Sequence, residues 1–541
     1  MRNMYMRTPM RALAAAVALL LFGGALTGCK PDTEPVNGEE SAIQSSDQTV
    51  PSGQGTGPTI PYATSTEPGG TDDGDATGTQ NGGTQETDSD GRPTSGTEAT
   101  SKTTGATNRP TSPPTARPTT RPTESDKYRP KCTVDDTIRN LGLCVTAYNG
   151  ADYGMSQSDM RARISTYKDC GFKSMRLETY WGSIEYSPGF SETPYQDTLF
   201  QEVKNSGMRI KMILGTIMGV PGWYLNGSRP DYYMMDENGR RAVSTPSYFA
   251  PGLRAQMTQG LDQMMQYLKN ARLLDSIDAI VVDCGPAGEP IYPPAWTQEG
   301  GLDGPSGGEV FWGYDVYSQQ NFRETMRSKY GTIQAANRAW GATYSSFDQV
   351  SAPKQNRNGG TQLWKDWLNW YRDSKREFIV DQVEMYRAAV NRYTGGRIKL
   401  ILYIPGTDVR DDWFQAALDA GYSDNGNVRI MCDSRFLIDT AKKYGLYLQY
   451  TGFENEAETR YLRSYMDASG AGSIPLFGEN AGGYNAVQNA AAMQRIVQEN
   501  GLAGIDVTHS RWLFQSETSL NKSPYYNNMK ATMSALKEYL G

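Results

Sequence analysis

Eight short apolar runs, alternating with stretches of helical period, govern what this chain can fold into. They are "LGLCVTAY" (141–148), "KSMRLETY" (173–180), "RIKMILGT" (209–216), "DAIVVDCG" (278–285), "RIKLILYI" (397–404), "LYLQYTGF" (446–453), "SIPLFGEN" (473–480) and "AGIDVTHS" (503–510). Between them lie segments such as "QSDMRARISTYKDCG", "YQDTLFQEVKNSG" and "LRAQMTQGLDQMMQYLKNA". Several close on glycine, as helix ends commonly do. Near-continuous apolar strands separated by helices predict a parallel sheet covered on its outer face. Eight such units in roughly 400 residues predict an α/β fold, a (β/α)8 barrel with enlarged loops. A doubly wound open sheet is the alternative, but no glycine-rich phosphate loop follows the first run.

A barrel of this kind directs attention to the carboxyl ends of its strands, where the loops share one mouth. The fourth run leads through "VVDCGPAGEP" to a single acid, Glu289. Other strand ends offer Glu178, then Thr451 and Glu454, then Glu479 and Asn480, and Arg511 beyond the eighth run. Carboxylates converging on one mouth are what glycoside hydrolysis needs. One, held protonated, gives its proton to the leaving oxygen; the other activates water or attacks the anomeric carbon. The chain has one histidine, His509, so proton transfers are expected to fall to carboxylates. Aromatic residues crowd the loops after runs two to four: Trp181, Trp223, Tyr224, Tyr232, Tyr233, Tyr292, Trp296, Phe311, Trp312 and Tyr314. Flat rings suit the C–H faces of sugars. Core and cleft are both open to them, Trp181, Trp223 and Tyr292 being taken as cleft candidates.

Composition divides the 541 residues. Residues 1–28 carry Arg2, Arg7 and Arg11 ahead of a short apolar stretch, a secretory leader rather than a spanning helix. No later stretch is long and apolar enough to cross a bilayer. Residues 29–126 are rich in Thr, Ser, Gly, Pro and acids, and such a segment cannot bury enough surface to offset chain entropy. It is expected to be a disordered tether holding its cargo on the order of 50 Å from its anchor. Fifteen acids and six bases fall in residues 30–126, leaving 44 bases and 45 acids from residue 127 on. The folded part, 127–541, is therefore close to neutral, with no basic stripe for nucleic acid. Besides Cys29 there are Cys132, Cys144, Cys170, Cys284 and Cys432 without CxxC spacing, which argues against structural zinc. A Cys132–Cys144 bridge is one expectation, with Cys284 left unpaired. No metal or organic cofactor is called for, and a monomer is expected.

Several motifs resemble known families. "LTGC" (26–29) resembles a bacterial lipobox, which implies a lipidated Cys29 and anchoring to the outer face of a bacterial membrane. "GPAGEPIYP" (285–293) and "FGENAGGYNA" (477–486) resemble the two signatures of glycoside hydrolase family 14, the β-amylases. "LETYWGSIE" (177–185), "LQYTGFENE" (448–456) and "VTHSR" (507–511) resemble further family motifs in the same order. The resemblance implies Glu289 as general acid and Glu479 as general base, with inversion. It also places Glu178, Thr451, Asn480, Ala481 and Arg511 along the site, Thr451 helping to hold the attacking water. Glu454 is either a site residue on a mobile loop or a solvated acid.

There are departures. "GTIMGVPGWYLNG" (215–227) lacks the family's histidine and matching aspartate, and "YIPGTDVRDDW" (403–413) puts Tyr403 and Asp408 where the family has other sugar-gripping residues. A site built for particular hydroxyls rejects analogues strongly, so these departures bear on the sugar more than on the chemistry. "GVPGWYLNGSRPDYYMMDENG" (219–239) and "YGTIQAANRAWG" (330–341) resemble the family 42 β-galactosidases. That likeness implies the same two carboxylates with Glu479 as nucleophile and retention. A non-catalytic glycan-binding lipoprotein is the reading outside the enzymes.

Overall fold

The computed structural model describes residues 128–147, 152–225, 229–294, 310–406, 412–421, 425–480, 490–508 and 512–541. The expected leader, the tether and Cys29 lie outside them. The barrel strands are β1 (Leu143–Thr146), β2 (Ser174–Tyr180), β3 (Arg209–Gly215), β6 (Ile277–Val281), β7 (Lys399–Ile404), β8 (Tyr447–Tyr450), β9 (Leu476–Asn480) and β10 (Ile505–Val507). Between β3 and β6 a two-stranded antiparallel excursion adds β4 (Tyr233–Met235) and β5 (Arg241–Pro246). Each of the eight apolar runs supplies one barrel strand. All pair in parallel, and β1 closes the ring by pairing with both β2 and β10. The expected (β/α)8 barrel is present, and the open-sheet alternative is excluded by that closure.

The helices form where their sequences specify them. Gln157–Cys170 begins at Ser156, whose hydroxyl accepts from the Asp159 amide at 3.2 Å, and ends on Gly171 in the left-handed region. These are the capping chemistries that satisfy amide and carbonyl groups left over at helix ends. At the β1–β10 seam, a Cβ on Gly504 would fall 2.1 Å from the Gly142 Cα, so closure depends on two glycines meeting.

The enlarged loops have a core of their own. Hairpin β4–β5, residues 310–371 and the start of a 33-residue helix, Gln362–Thr394, pack around Trp312, Trp364, Trp367 and Tyr371. The five described cysteines are all buried and free. The expected Cys132–Cys144 bridge is therefore corrected. Cys144 lies on β1 within electrostatic reach of Asp506 and Lys211, and Cys132 is close to Asp135 and Arg463.

Candidate active site

Strand periodicity places the polar groups. In β2 the half-buried residues Arg176, Glu178 and Tyr180 alternate with fully buried Met175, Leu177 and Thr179, as one face of a strand does. Glu178 is thus inside β2, and Glu479 and Asn480 are the last residues of β9 rather than loop residues. On β8 and just beyond it, Gln449 and Thr451 are two residues apart and hold the two candidate catalytic acids. The Gln449 side-chain amide donates to Glu479 Oε2, and Thr451 Oγ1 donates to Glu289 Oε1 at 2.7 Å. The threonine hydroxyl thus contacts the candidate acid.

Glu479 is 6% exposed and pairs through Oε1 with Arg176 Nη1 at 2.7 Å. The same guanidinium lies 3.4 Å from Asp506 Oδ2 and donates to the Tyr403 hydroxyl at 3.0 Å. Asp506 pairs with Lys211 at 2.5 Å and accepts from Thr146 Oγ1 at 2.8 Å, while Lys211 also donates to Gln449. Two cations and two carboxylates thus balance inside the barrel. Burial pushes the Asp506 carboxyl up, but Lys211 and Arg176 outweigh it and hold it at about 2. The sequence reading missed Arg176, Lys211, Gln449 and Asp506. Their signal is a polar or charged residue within an otherwise apolar run.

Glu289 sits in a turn of unusual backbone. Ala287 and Gly288 both have positive φ, 55° and 81°, and a Cβ on Gly285 would lie 2.6 Å from the carbonyls of Glu289 and Ile291. A non-glycine residue at positive φ costs energy and survives only where its surroundings enforce it. Two buried groups do so here. Asp283 accepts from the amides of Thr216, Ile217 and Met218 at 2.7, 2.8 and 3.0 Å, tying the β3 exit to the β6 exit. Lys375, from the long helix, donates to the Cys284 and Ile291 carbonyls at 2.8 and 2.7 Å and to Tyr248 at 2.7 Å. Those two carbonyls bracket the acid's turn. Sequence reading missed Lys375, because a lysine on a helix ordinarily reads as solvent-exposed.

Burial pushes the Glu289 carboxyl up to about 7, with the Glu479 charge adding to it against Thr451 and Arg176. Burial likewise lifts Glu178 to about 7, aided by Glu479 and opposed by Arg176 and Tyr180. The mouth therefore offers two carboxyls raised toward neutrality, both within electrostatic reach of Glu479.

The remaining candidates divide. The Asn480 side chain donates to Glu454 and accepts from Trp512 Nε1 at 2.8 Å, so the structure brings Glu454 to the end of β9. Tyr403, expected at the sugar, is corrected to a fully buried residue whose hydroxyl accepts from Arg176. Trp223 is half-buried, its indole N–H on the Glu185 carbonyl at 3.1 Å. Trp181 and Tyr292, expected at the cleft, are corrected to core residues. Trp181 is fully buried against Gly260, which has no side chain to keep it away, and donates to Glu185 Oε2 at 2.5 Å. Tyr292 stacks on Tyr371 with centroids 4.2 Å apart and donates to its carbonyl at 3.2 Å. Ala481 and Arg511 lie outside the described residues, as do His509, Trp296 and Asp408.

Comparison with known proteins follows the same lines. A β-amylase of Niallia circulans is 26% identical over 234 residues, 40% of this chain and 40% of that protein. One of Bacillus cereus is 27% identical over 223 residues, 38% of this chain and 40% of that protein. The chain thus spans about two fifths of the length of these relatives. Among solved structures, the catalytic domain of the β-amylase from Paenibacillus polymyxa covers 72% of this chain and 97% of its own, with TM-score 0.55 and 19% identity. A GH42 β-galactosidase from G. stearothermophilus covers 76% of this chain and 58% of its own, with TM-score 0.50 and 13% identity. These likenesses concern the fold. The model of glycosyl hydrolase family 14 matches residues 150–460, more than half of the chain, taking in Glu178, Glu289 and Thr451 and stopping short of Glu479. By that match the chain belongs to glycosyl hydrolase family 14.

Proposed function

We propose that the chain hydrolyses O-glycosidic bonds in an oligo- or polysaccharide by β-amylase-like chemistry. Glu289 protonates the glycosidic oxygen, and Glu479 acts as general base on a water that attacks the anomeric carbon from the opposite face, with inversion. The observation that best supports this is the shared grip of β8 and the residue following it. Gln449 and Thr451 hold Glu479 and Glu289 respectively, while the two carboxyls keep different surroundings. Arg176 Nη1 lies 2.7 Å from Glu479 Oε1, a cation beside the group assigned as base. Glu289, lifted to about 7, is available as a proton donor near neutrality. Two carboxyls in unlike surroundings are the general device for acid and base roles in one site. Glu178 would contact the sugar from β2, with Tyr403 holding Arg176 behind Glu479 and Asn480, Ala481 and Arg511 completing the site. By the lipobox resemblance the enzyme is anchored through lipidated Cys29 at the outer face of a bacterial membrane, on the 29–126 tether, and we infer that it works as a monomer.

The test uses Glu289→Gln and Glu479→Gln assayed on soluble starch and maltotetraose. Each should lower kcat by about 10²–10⁴ while sparing sugar binding; full activity in both sinks the assignment. Proton NMR of the first product formed decides the stereochemistry. The anomer opposite to the substrate's supports inversion. The same anomer makes Glu479 a nucleophile, as in the β-galactosidase-like reading.

A further inference from the structure

The loop after β2 holds three exposed aromatic rings within ten residues. Tyr186, Phe190 and Tyr195 are 44%, 70% and 49% exposed. The other exposed large apolar side chains among the described residues, Val316, Tyr461 and Leu520, stand apart in sequence. Single exposed apolar residues need no explanation, whereas a cluster marks a surface with something to bind.

The loop is built around a buried acid. Glu185, 1% exposed, accepts from the Gly189 amide at 2.5 Å and from the Trp181 indole at 2.5 Å. Its carbonyl accepts from Trp223 at 3.1 Å. The Glu192 amide returns to the Ile184 carbonyl at 2.8 Å, and Ser187 and Phe190 pair across an antiparallel bridge. The rings therefore stand on backbone pinned to the core, which limits the entropy a ligand must remove.

Tyr195 ties this loop to the candidate site. The Tyr195 ring meets the Tyr153 ring edge-on at 6.3 Å, and the Tyr153 hydroxyl accepts from the Glu178 amide at 3.0 Å. The Tyr195 phenol, pushed up first by desolvation and then by Glu178 and Tyr186, lies within electrostatic reach of both.

We propose that Tyr186, Phe190 and Tyr195 form a carbohydrate-binding rim for the outer sugar units of a glycan chain whose end occupies the barrel mouth. The proposal rests on the glycosidase reading of that mouth. Its ligand is the distal part of a neutral polysaccharide, whose pyranose C–H faces stack on flat rings without a charged partner. A short oligosaccharide fills the mouth and does not reach the rim.

Phe190→Ala and the double variant Tyr186→Ala/Phe190→Ala, made in the full chain, test this. The readout is the ratio of KM for soluble starch to KM for maltotetraose. It should rise at least fivefold; an unchanged ratio overturns the rim. The rings are largely exposed, so thermal melts should stay close to wild type. Affinity electrophoresis in starch-containing gels, with Glu289→Gln as the background, gives an answer that needs no turnover. Glu289→Gln should be retarded, and Glu289→Gln/Phe190→Ala should run freely. Equal retardation of the two, or none of either, overturns the proposal. So would a wild-type dimer that Phe190→Ala converts to monomer, since the occupant would then be a second copy. Full turnover in both Glu289→Gln and Glu479→Gln would instead overturn the catalytic assignment and leave the gel to judge the rim.

Discussion

Glu289 and Glu178 differ from surface carboxyls in one physical respect: burial makes their charged forms expensive, which lifts both to about 7. If Glu289 is the proton donor, kcat/KM falls as pH rises through about 7, because the acid form disappears. A profile flat to pH 9 removes Glu289 from that role. Stability has a related sign. A carboxyl whose folded pKa is raised contributes stability below its unfolded value, and this is lost as pH rises through the folded one. Glu178→Gln should therefore raise the melting temperature at pH 8 relative to wild type and bring no such gain at pH 4. Lys375 acts on Glu289 at one remove. Its amine, which burial pulls down to about 7, pins Cys284 and Ile291 on either side of the acid's turn, and a displaced catalytic group can cost about a hundredfold. Lys375→Met should lower kcat about 10–100-fold on substrates with poor leaving groups, with KM little changed. It should spare aryl glycosides whose leaving group needs no proton. Equal loss on both kinds would make Lys375 structural only; Lys375→Gln, which keeps two N–H donors, serves if the methionine variant does not fold.

At the scale of elements, the strands were legible because both faces of a barrel strand are covered and each apolar run is nearly continuous. The polar residues within those runs, Arg176, Lys211 and Asp506, carry the complementary message. A charge in such a run is stable only with a partner, and here the partners come from different strands. No single segment could have disclosed the pairing. Asp506→Asn would leave Lys211 buried without its counter-ion, so it should destabilise by about 3–5 kcal/mol, read as a lower urea midpoint. Asp506 is held at about 2, so its contribution is present above its unfolded pKa and fades as pH falls toward 2. The difference between variant and wild type should therefore shrink in acid. An unchanged midpoint at pH 7 would mean the interior charges are not coupled as the geometry implies. Trp181 and Tyr292 misled for a related reason: what buries them is Gly260 on a later helix and Tyr371 some 79 residues away. Local sequence shows an aromatic in a loop and says nothing of the surface that covers it.

For the whole molecule, the first described residues meet the barrel at one end. Lys131 donates its amide to Gly501 at 3.0 Å and its ammonium pairs with Asp467 at 3.1 Å. Gly501 and Asp467 precede β10 and β9, so this contact is at the amino ends of the strands, opposite the mouth that holds Glu289 and Glu479. Arg139 meets the Gly541 carbonyl at 2.8 Å, and β1 closes the ring with β2 and β10. Among the described residues, barrel closure is made by strands and contacts that lie from 131 onward. A chain of residues 127–541 should keep kcat on soluble oligosaccharide within about twofold and melt close to the full chain, surface changes away from such contacts being small in effect. Cys29→Ser in the full chain should leave the same kcat and move the protein from the membrane pellet to the soluble fraction. A truncated chain that folds but loses turnover would show that the first 126 residues take part in the site. A Cys29→Ser protein that stays in the pellet would remove the lipid anchor while leaving the barrel's chemistry untouched.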